Sequence, residues 1–291
     1  MEEIKVRRSH LNDFERCPRR FEYIRQGIRI RPHLLSLPLR QGTYLHSLIS
    51  QSGEAVYFSE DEQREKQIVE VMVKVMQQLE LLPSGLKHEI PLSNKGATGT
   101  LDLVSPDNRW FGEMKYTTKP DFYTNSFIAQ AQLEWYFYLN PEFQYCYILP
   151  IRVPALRMQE VKESIEKFLS RLELDILKRP SFYFPKYSSE RQEVKWGLKF
   201  YRHEFDMKQL EWRINFCIKL INYLNKIGHY PQHKANCLTP SECEYMSICE
   251  TGAVSDTLCI QETQQAQETQ QPQQTQVTQE TQVTQVTQQT Y

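Results

Sequence analysis

Residues 98–118 read TGTLDLVSPDNRWFGEMKYTT. Two runs rich in apolar and β-branched residues, 98–105 and 109–118, flank the turn cluster Ser105-Pro106-Asp107-Asn108, which predicts two strands joined as a hairpin. Both strands carry ionisable residues where a core wants none. Asp102 sits between Leu101 and Leu103, and Glu113 and Lys115 flank Met114. Side chains two apart on a strand share a face, so Glu113 and Lys115 emerge together, and hairpin pairing brings Asp102 within reach of Glu113. Two carboxylates converging in a partly dry site repel unless a cation bridges them, and hard divalent ions such as Mg²⁺ take oxygen ligands. Each fragment alone also fits a plainer reading, a surface Asp and an exposed Glu/Lys ion pair.

Outward from the hairpin, KHEIPLS (87–93) predicts a third strand, separated from 98–105 by the turn Ser93-Asn94-Lys95-Gly96. Upstream, helical spacing predicts helices over 10–26, 42–50 and 60–82. The first starts at Ser9 as N-cap, turns Leu11, Phe14, Phe21 and Ile24 inward and ends near Gly27; the third is stopped by Pro83. Downstream follow a helix at 125–139, a strand at 143–151, and helices at 159–178 and 206–227, the last ending at Gly228. This order predicts an α/β fold with a central mixed sheet flanked by helices. It is expected as one domain over 1–255, with an N-terminal helical part (9–50), a sheet core (85–155) and a C-terminal helix with a cysteine-rich segment (206–250). Residues 261–291 hold 14 Gln and 8 Thr in 31 positions, so 256–291 is expected to be a disordered tail.

The 291 residues carry 35 Lys and Arg against 36 Asp and Glu, unevenly placed. No Lys or Arg follows Lys234, so residues 1–234 have 35 basic against 29 acidic groups, and residues 1–40 have ten against five. An anionic partner is compatible with that balance. The start, MEEIKVRRSH, has no apolar stretch behind its basic residues, and no run of about 18 apolar residues occurs. A soluble, intracellular (cytoplasmic; host cytoplasm if viral) protein without membrane association is expected. Seven cysteines, an odd number, then argue against a disulfide framework and for metal or thiol chemistry.

Four further signals stand in order: Gly42-x-x-x-His46, Gly99-x-x-Asp102, Glu113-x-Lys115 and Gln132-x-x-x-Tyr136. Together they resemble the motif set of the PD-(D/E)XK nuclease superfamily, specifically its RecB-like branch. The resemblance implies a restriction-endonuclease-like core and a Mg²⁺- or Mn²⁺-dependent deoxyribonuclease. His46, Asp102, Glu113 and the Met114 carbonyl would hold the metal, Lys115 would orient or help deprotonate the attacking water, and Gln132 and Tyr136 would contact substrate or order the site. Phosphodiester hydrolysis builds charge on the attacking, nonbridging and leaving oxygens, which such equipment stabilises.

The segment NCLTPSECEYMSICE (236–250) spaces Cys237, Cys243 and Cys249 by five residues each and has little else to order it, so a metal staple is expected. A tetrahedral thiolate site needs a fourth ligand. Cys17, in CPRRFEY (17–23), is similar to the CPxxFxY element of RecB-like nucleases that carry an iron–sulfur cluster. That resemblance implies a [4Fe–4S] cluster on Cys17, Cys237, Cys243 and Cys249, joining the N- and C-terminal helical segments. Many members have a two-residue first gap in the C-terminal trio; the five-residue gap here leaves Zn²⁺, or Cys259 as a substitute ligand, as alternatives. Cys146 and Cys217, on apolar faces, are expected to be buried thiols.

The expected activity is exonucleolytic hydrolysis of single-stranded or end-containing DNA, in recombination, repair or CRISPR-type processing. Arg16, Arg19, Arg20 and Arg25 are candidates for phosphate contacts. No G-x-x-x-x-G-K-[ST] motif occurs, so a helicase or a recombination or CRISPR partner would be another chain. Two other readings stay open: a noncatalytic DNA-binding scaffold with a retained nuclease fold, and a zinc-stapled protein whose tail recruits partners.

Overall fold

The computed structural model describes residues 5–31, 34–125, 127–159, 163–191, 193–237, 243–254 and 257–260. The expected tail, apart from 257–260, and the Cys259 side chain lie outside the described residues. Strand β1 (Val6–Arg7) runs directly into α1 (Arg8–Arg16), followed by α2 (Pro18–Arg25) and β2 (Ile28–Ile30). The single helix expected over 10–26 is therefore two, and its start is Arg7 rather than Ser9. Cys17 between them is extended (φ −163°, ψ 112°), because the ring of Pro18 excludes the α conformation from the residue before it.

Helix α3 (Leu37–Ser50) begins a turn and a half before the expected 42–50, with Pro38 in its first turn. Helix α4 (Gln63–Gln78) stops short of Pro83: Glu80 turns left-handed (φ 47°), which drops Leu81 into the core with no exposure. Then come β3 (Lys87–Asn94), β4 (Ala97–Val104) and β5 (Trp110–Thr117), matching the three expected strands. The tight turn at Lys95-Gly96 has both residues at positive φ (45° and 79°), as a two-residue hairpin requires. Helices α5 (Pro120–Asn125) and α6 (Phe127–Leu139), strand β6 (Tyr145–Arg152), helices α7 (Ile165–Lys178) and α8 (Pro180–Tyr183) and strand β7 (Leu198–Tyr201) follow. Helix α9 (Met207–Ile227) is capped by Asp206, whose carboxylate accepts the Lys208 and Gln209 N–H groups, and by Gly228 at φ 66°. The chain closes with α10 (Met246–Thr251) and β8 (Leu258–Ile260).

The central sheet is mixed. Strand β4 pairs antiparallel with β3 along one edge, and its other edge is divided between parallel β1 at Ala97–Thr98 and antiparallel β5 at Leu103–Val104. Strand β5 continues in parallel with β6, and β6 runs antiparallel to β7. Helices cover both faces. Residues of α1, α2, α6 and α9 bury one core with Leu101, Phe111 and Cys146, and α3, α4, α7 and α8 bury the other with Leu103, Trp110, Met114 and Leu149. Leu101 and Leu103 belong to opposite cores, so the period-two alternation slips at Asp102.

The first and last described segments meet. Strand β2 pairs antiparallel with β8, and a third, small core joins Ile24 and Ile28 to Cys243, Tyr245, Ile248 and Leu258. Arg20 of α2 pairs with Asp13 and with Glu244, and the buried Tyr245 hydroxyl donates to the Ile28 carbonyl (3.1 Å). Among the described residues no helix is long and apolar enough to cross a membrane.

Candidate metal centre at the strand fork

Pairing between β4 and β5 ends at Leu103 opposite Gly112, and beyond it the strands separate. Gly112 is needed at that join: a β-carbon there would stand 3.0 Å from Leu149 and 3.3 Å from Leu103. Where the ladder stops, a side chain replaces a backbone acceptor, and Asp102 Oδ2 accepts the Met114 N–H at 2.8 Å. The fork opens the sheet, so groups from both helical layers reach the same carboxylates.

From α3 comes His46, with Nδ1 3.5 Å from Asp102 Oδ1 and its ring against the Met114 carbonyl. From α6 comes Gln132, whose Nε2 donates to Glu113 Oε1 (2.6 Å) and to the Tyr136 hydroxyl (3.2 Å). The Tyr136 hydroxyl donates onward to the Thr100 carbonyl (2.9 Å). Lys115 Nζ pairs with Glu113 Oε1. Glu113 itself is 2% exposed, and its Oε2 is buried without a hydrogen-bond partner among the described residues. A buried carboxylate oxygen left without a donor costs free energy unless another group meets it.

The electrostatics point the same way. Burial, then the neighbouring Glu113, holds the Asp102 carboxyl well above the usual carboxylate range. Burial alone would lower the Lys115 ammonium, but the Glu113 and Asp102 carboxylates outweigh it, and the group is raised above its ordinary value. Burial lowers His46, leaving it the neutral imidazole that ligates metals. These are the signs expected of an acidic cluster short of positive charge.

Two residues that sequence reasoning passed over belong here. Glu89 on β3 brings Oε1 to 3.9 Å from His46 Nδ1, and the ligating atoms of His46, Glu89 and Asp102 all lie within 4.8 Å of one another. Its backbone is left-handed (φ 49°), an arrangement costly for a non-glycine strand residue and common at functional sites. Arg8, at the start of α1, lies within electrostatic reach of Glu113 and Tyr136. KHEIPLS read only as a strand, and nothing in the sequence singled out Arg8 from its neighbours.

The oxygen-rich set His46, Glu89, Asp102, Glu113 and the Met114 carbonyl suits a hard divalent ion such as Mg²⁺ or Mn²⁺. Past the far end of α1, Cys17, Cys237, Cys243 and Cys249 line one small cavity with Arg16 and Arg20. The His233 N–H donates to Cys17 Sγ (3.4 Å), and the Tyr23 hydroxyl bonds to Cys249. Burial, then the neighbouring cysteines, raises the Cys237 thiol. Four soft donors facing one another suit a thiophilic metal group. Cys146 and Cys217 are buried apart from them.

Two of the four arginines weighed for phosphate binding, Arg20 and Arg25, are held by carboxylates. Arg20 is held by Asp13 and Glu244, Arg25 makes a two-point pair with Glu22 (3.0 Å each), and Arg16 sits at the cysteine cavity. Arg19 keeps a buried Nε without an acceptor among the described residues. The carboxylates neutralise Arg20 and Arg25, so the charge these two offer a phosphate is offset.

No protein-family model and no curated protein matches the chain. Among solved structures, a phage-related exonuclease from Haemophilus somnus 129PT aligns over 78% of this chain and 98% of its own. The identity is 15% and the TM-score 0.37.

Proposed function

We propose that this chain is a divalent-metal-dependent deoxyribonuclease acting on single-stranded or end-containing DNA. One observation carries the reading: Asp102, Glu113 and Lys115 converge at a strand fork with His46, Glu89 and Gln132, leaving a buried carboxylate oxygen of Glu113 without a donor among the described residues. His46, Glu89, Asp102, Glu113 and the Met114 carbonyl would hold Mg²⁺ or Mn²⁺. Such an ion, when bound, stabilises the charge that builds on the phosphate oxygens during hydrolysis.

The chain's own groups do the rest. Lys115, paired with Glu113 through Nζ, would orient the attacking water or help deprotonate it. Gln132 holds Glu113 Oε1 in place and is itself held by Tyr136, so α6 sets the direction of the carboxylate. Arg8 offers positive charge beside the cluster for the strand backbone. A scaffold with an idle site would have no use for Lys115 and a second, largely covered carboxylate set around the buried Glu113, which favours the enzyme.

Cys17, Cys237, Cys243 and Cys249 line one cavity, four soft donors that would hold a thiophilic metal group, read here as a [4Fe–4S] cluster with Zn²⁺ as the alternative. The test of the activity is digestion of end-labelled single- and double-stranded DNA with Mg²⁺ or Mn²⁺ by the wild type and by Lys115→Ala. Cutting by the wild type alone is expected. Equal cutting by both would refute the site, and DNA binding without cutting by either would return the scaffold reading.

A further inference from the structure

The outer face of α9 has no counterpart in the chemistry above. Its inner face, Leu210, Ile214, Cys217, Ile221 and Leu224, is buried in the core shared with α6. At 100° per residue, Lys208, Trp212, Phe216, Lys219, Tyr223 and Lys226 fall within an arc of about 80° on the opposite side, over a length of about 27 Å. All six are exposed, Trp212 at 67%, Phe216 at 53% and Tyr223 at 58%. The Trp212 and Phe216 rings lie nearly parallel, 13° apart in plane with centroids at 5.5 Å. The one acidic residue of the helix, Glu211, lies outside that arc and pairs with Lys95 (2.6 Å).

We propose that this face binds single-stranded DNA, its aromatic rings stacking with bases and its lysines tracking the phosphates. The choice of DNA as the polymer rests on the nuclease reading; the platform itself does not. Flat exposed rings interleaved with cations, and no carboxylate among them, are the equipment of sequence-tolerant strand binding. A second copy of the chain is disfavoured by charge: a two-fold contact through this face would set three lysines against three lysines. The platform binds the strand outside the strand fork, where it would hold substrate between cuts.

The other three tryptophans, Trp110, Trp135 and Trp196, are at most 4% exposed, so solvent-accessible tryptophan emission reports Trp212. The full chain in EDTA, titrated with an oligo(dT), should lose that emission, and Trp212→Phe should remove the quenchable component. Trp212→Ala with Phe216→Ala should weaken binding of a labelled oligo(dT) by roughly tenfold or more. Lys219→Gln should lower the salt slope by about 0.7. Circular dichroism and thermal unfolding, expected unchanged, check that the variants fold. Unquenched emission, or an unchanged affinity in the double alanine variant, would overturn the proposal. So would micromolar self-association, or capture of an acidic peptide, that depends on Trp212 while oligo(dT) binding does not. Because EDTA prevents cutting, these results stand apart from Lys115→Ala: a variant that still cuts refutes the strand-fork site and leaves the platform intact.

Discussion

Two glycines of the sequence motifs do different physical jobs. A β-carbon on Gly99 would meet Leu139 at 2.9 Å, Tyr136 at 3.2 Å and Trp135 at 3.4 Å, because α6 lies directly on β4 there. Gly99→Ala should therefore cost about 1–3 kcal/mol in urea unfolding and displace Tyr136, the support of Gln132. Gly42 lies inside α3, and among the described residues, its own helix turn aside, nothing comes within 4 Å of where a β-carbon would stand. Gly42→Ala should stabilise the protein by about 0.5–1 kcal/mol through helix propensity. If it raises the melting temperature but slows DNA cutting, the open space four residues before His46 is occupied by substrate. Glu89→Gln should weaken Mn²⁺ binding by roughly tenfold, read by calorimetry in the absence of DNA, as loss of one charged donor implies.

Among the elements, α1 carries a pH dependence of its own. Burial first, then Arg7 and Arg29, lowers His10 to about 4, and its ring packs edge-on against Phe21 (5.9 Å). The unfolded chain binds a proton at this histidine below its ordinary value near 6.5, and the folded chain resists doing so until about 4. Its contribution to stability is thus present above pH 6.5 and lost as pH falls toward 4. His10→Gln should flatten that acid limb by an amount on the order of 2 kcal/mol, measured as the difference between the two unfolding curves from pH 7 to 4. Helix α9 depends on its first turn: Asp206→Ala removes the acceptor for two N–H groups and should cost about 1 kcal/mol.

At the scale of the whole molecule, the cysteine cavity lies where the N-terminal helices and the 243–260 region are joined by β2 and β8, the Arg20 ion pairs and a small core. A cluster there would tie residues 17 and 237–249 together across most of the sequence. Anaerobically purified protein should contain iron and absorb in the visible. Cys237→Ser should lose the iron, lower the melting temperature and open the 231–251 region to protease, while iron-free wild type with unchanged melting would exclude the cluster. The sheet and its two helical layers rest on separate cores, so the strand fork should survive that loss in part.

Local sequence was enough for the alternating strands at 87–118, for helices over 206–227 and 60–82 whose bodies form at Met207–Ile227 and Gln63–Gln78, and for Glu113 and Lys115 sharing a face. Each follows from short-range periodicity, a turn or a cap that neighbours in the chain impose. The break at Cys17 was also written locally, in Pro18, though the continuous apolar stripe of 10–26 masked it. Long-range packing set the rest: β4 and β5 part at Leu103, Glu89 faces His46 across the fork, and Arg8 rather than the arginines of α2 stands near the carboxylates. It alone brought β8 to β2, whereas the approach of Cys17 to Cys237 was expected from the family resemblance and not from local sequence. Those contacts join residues tens to hundreds of positions apart, and burial, charge and chain reversal select them only once the two helical layers have closed on the sheet.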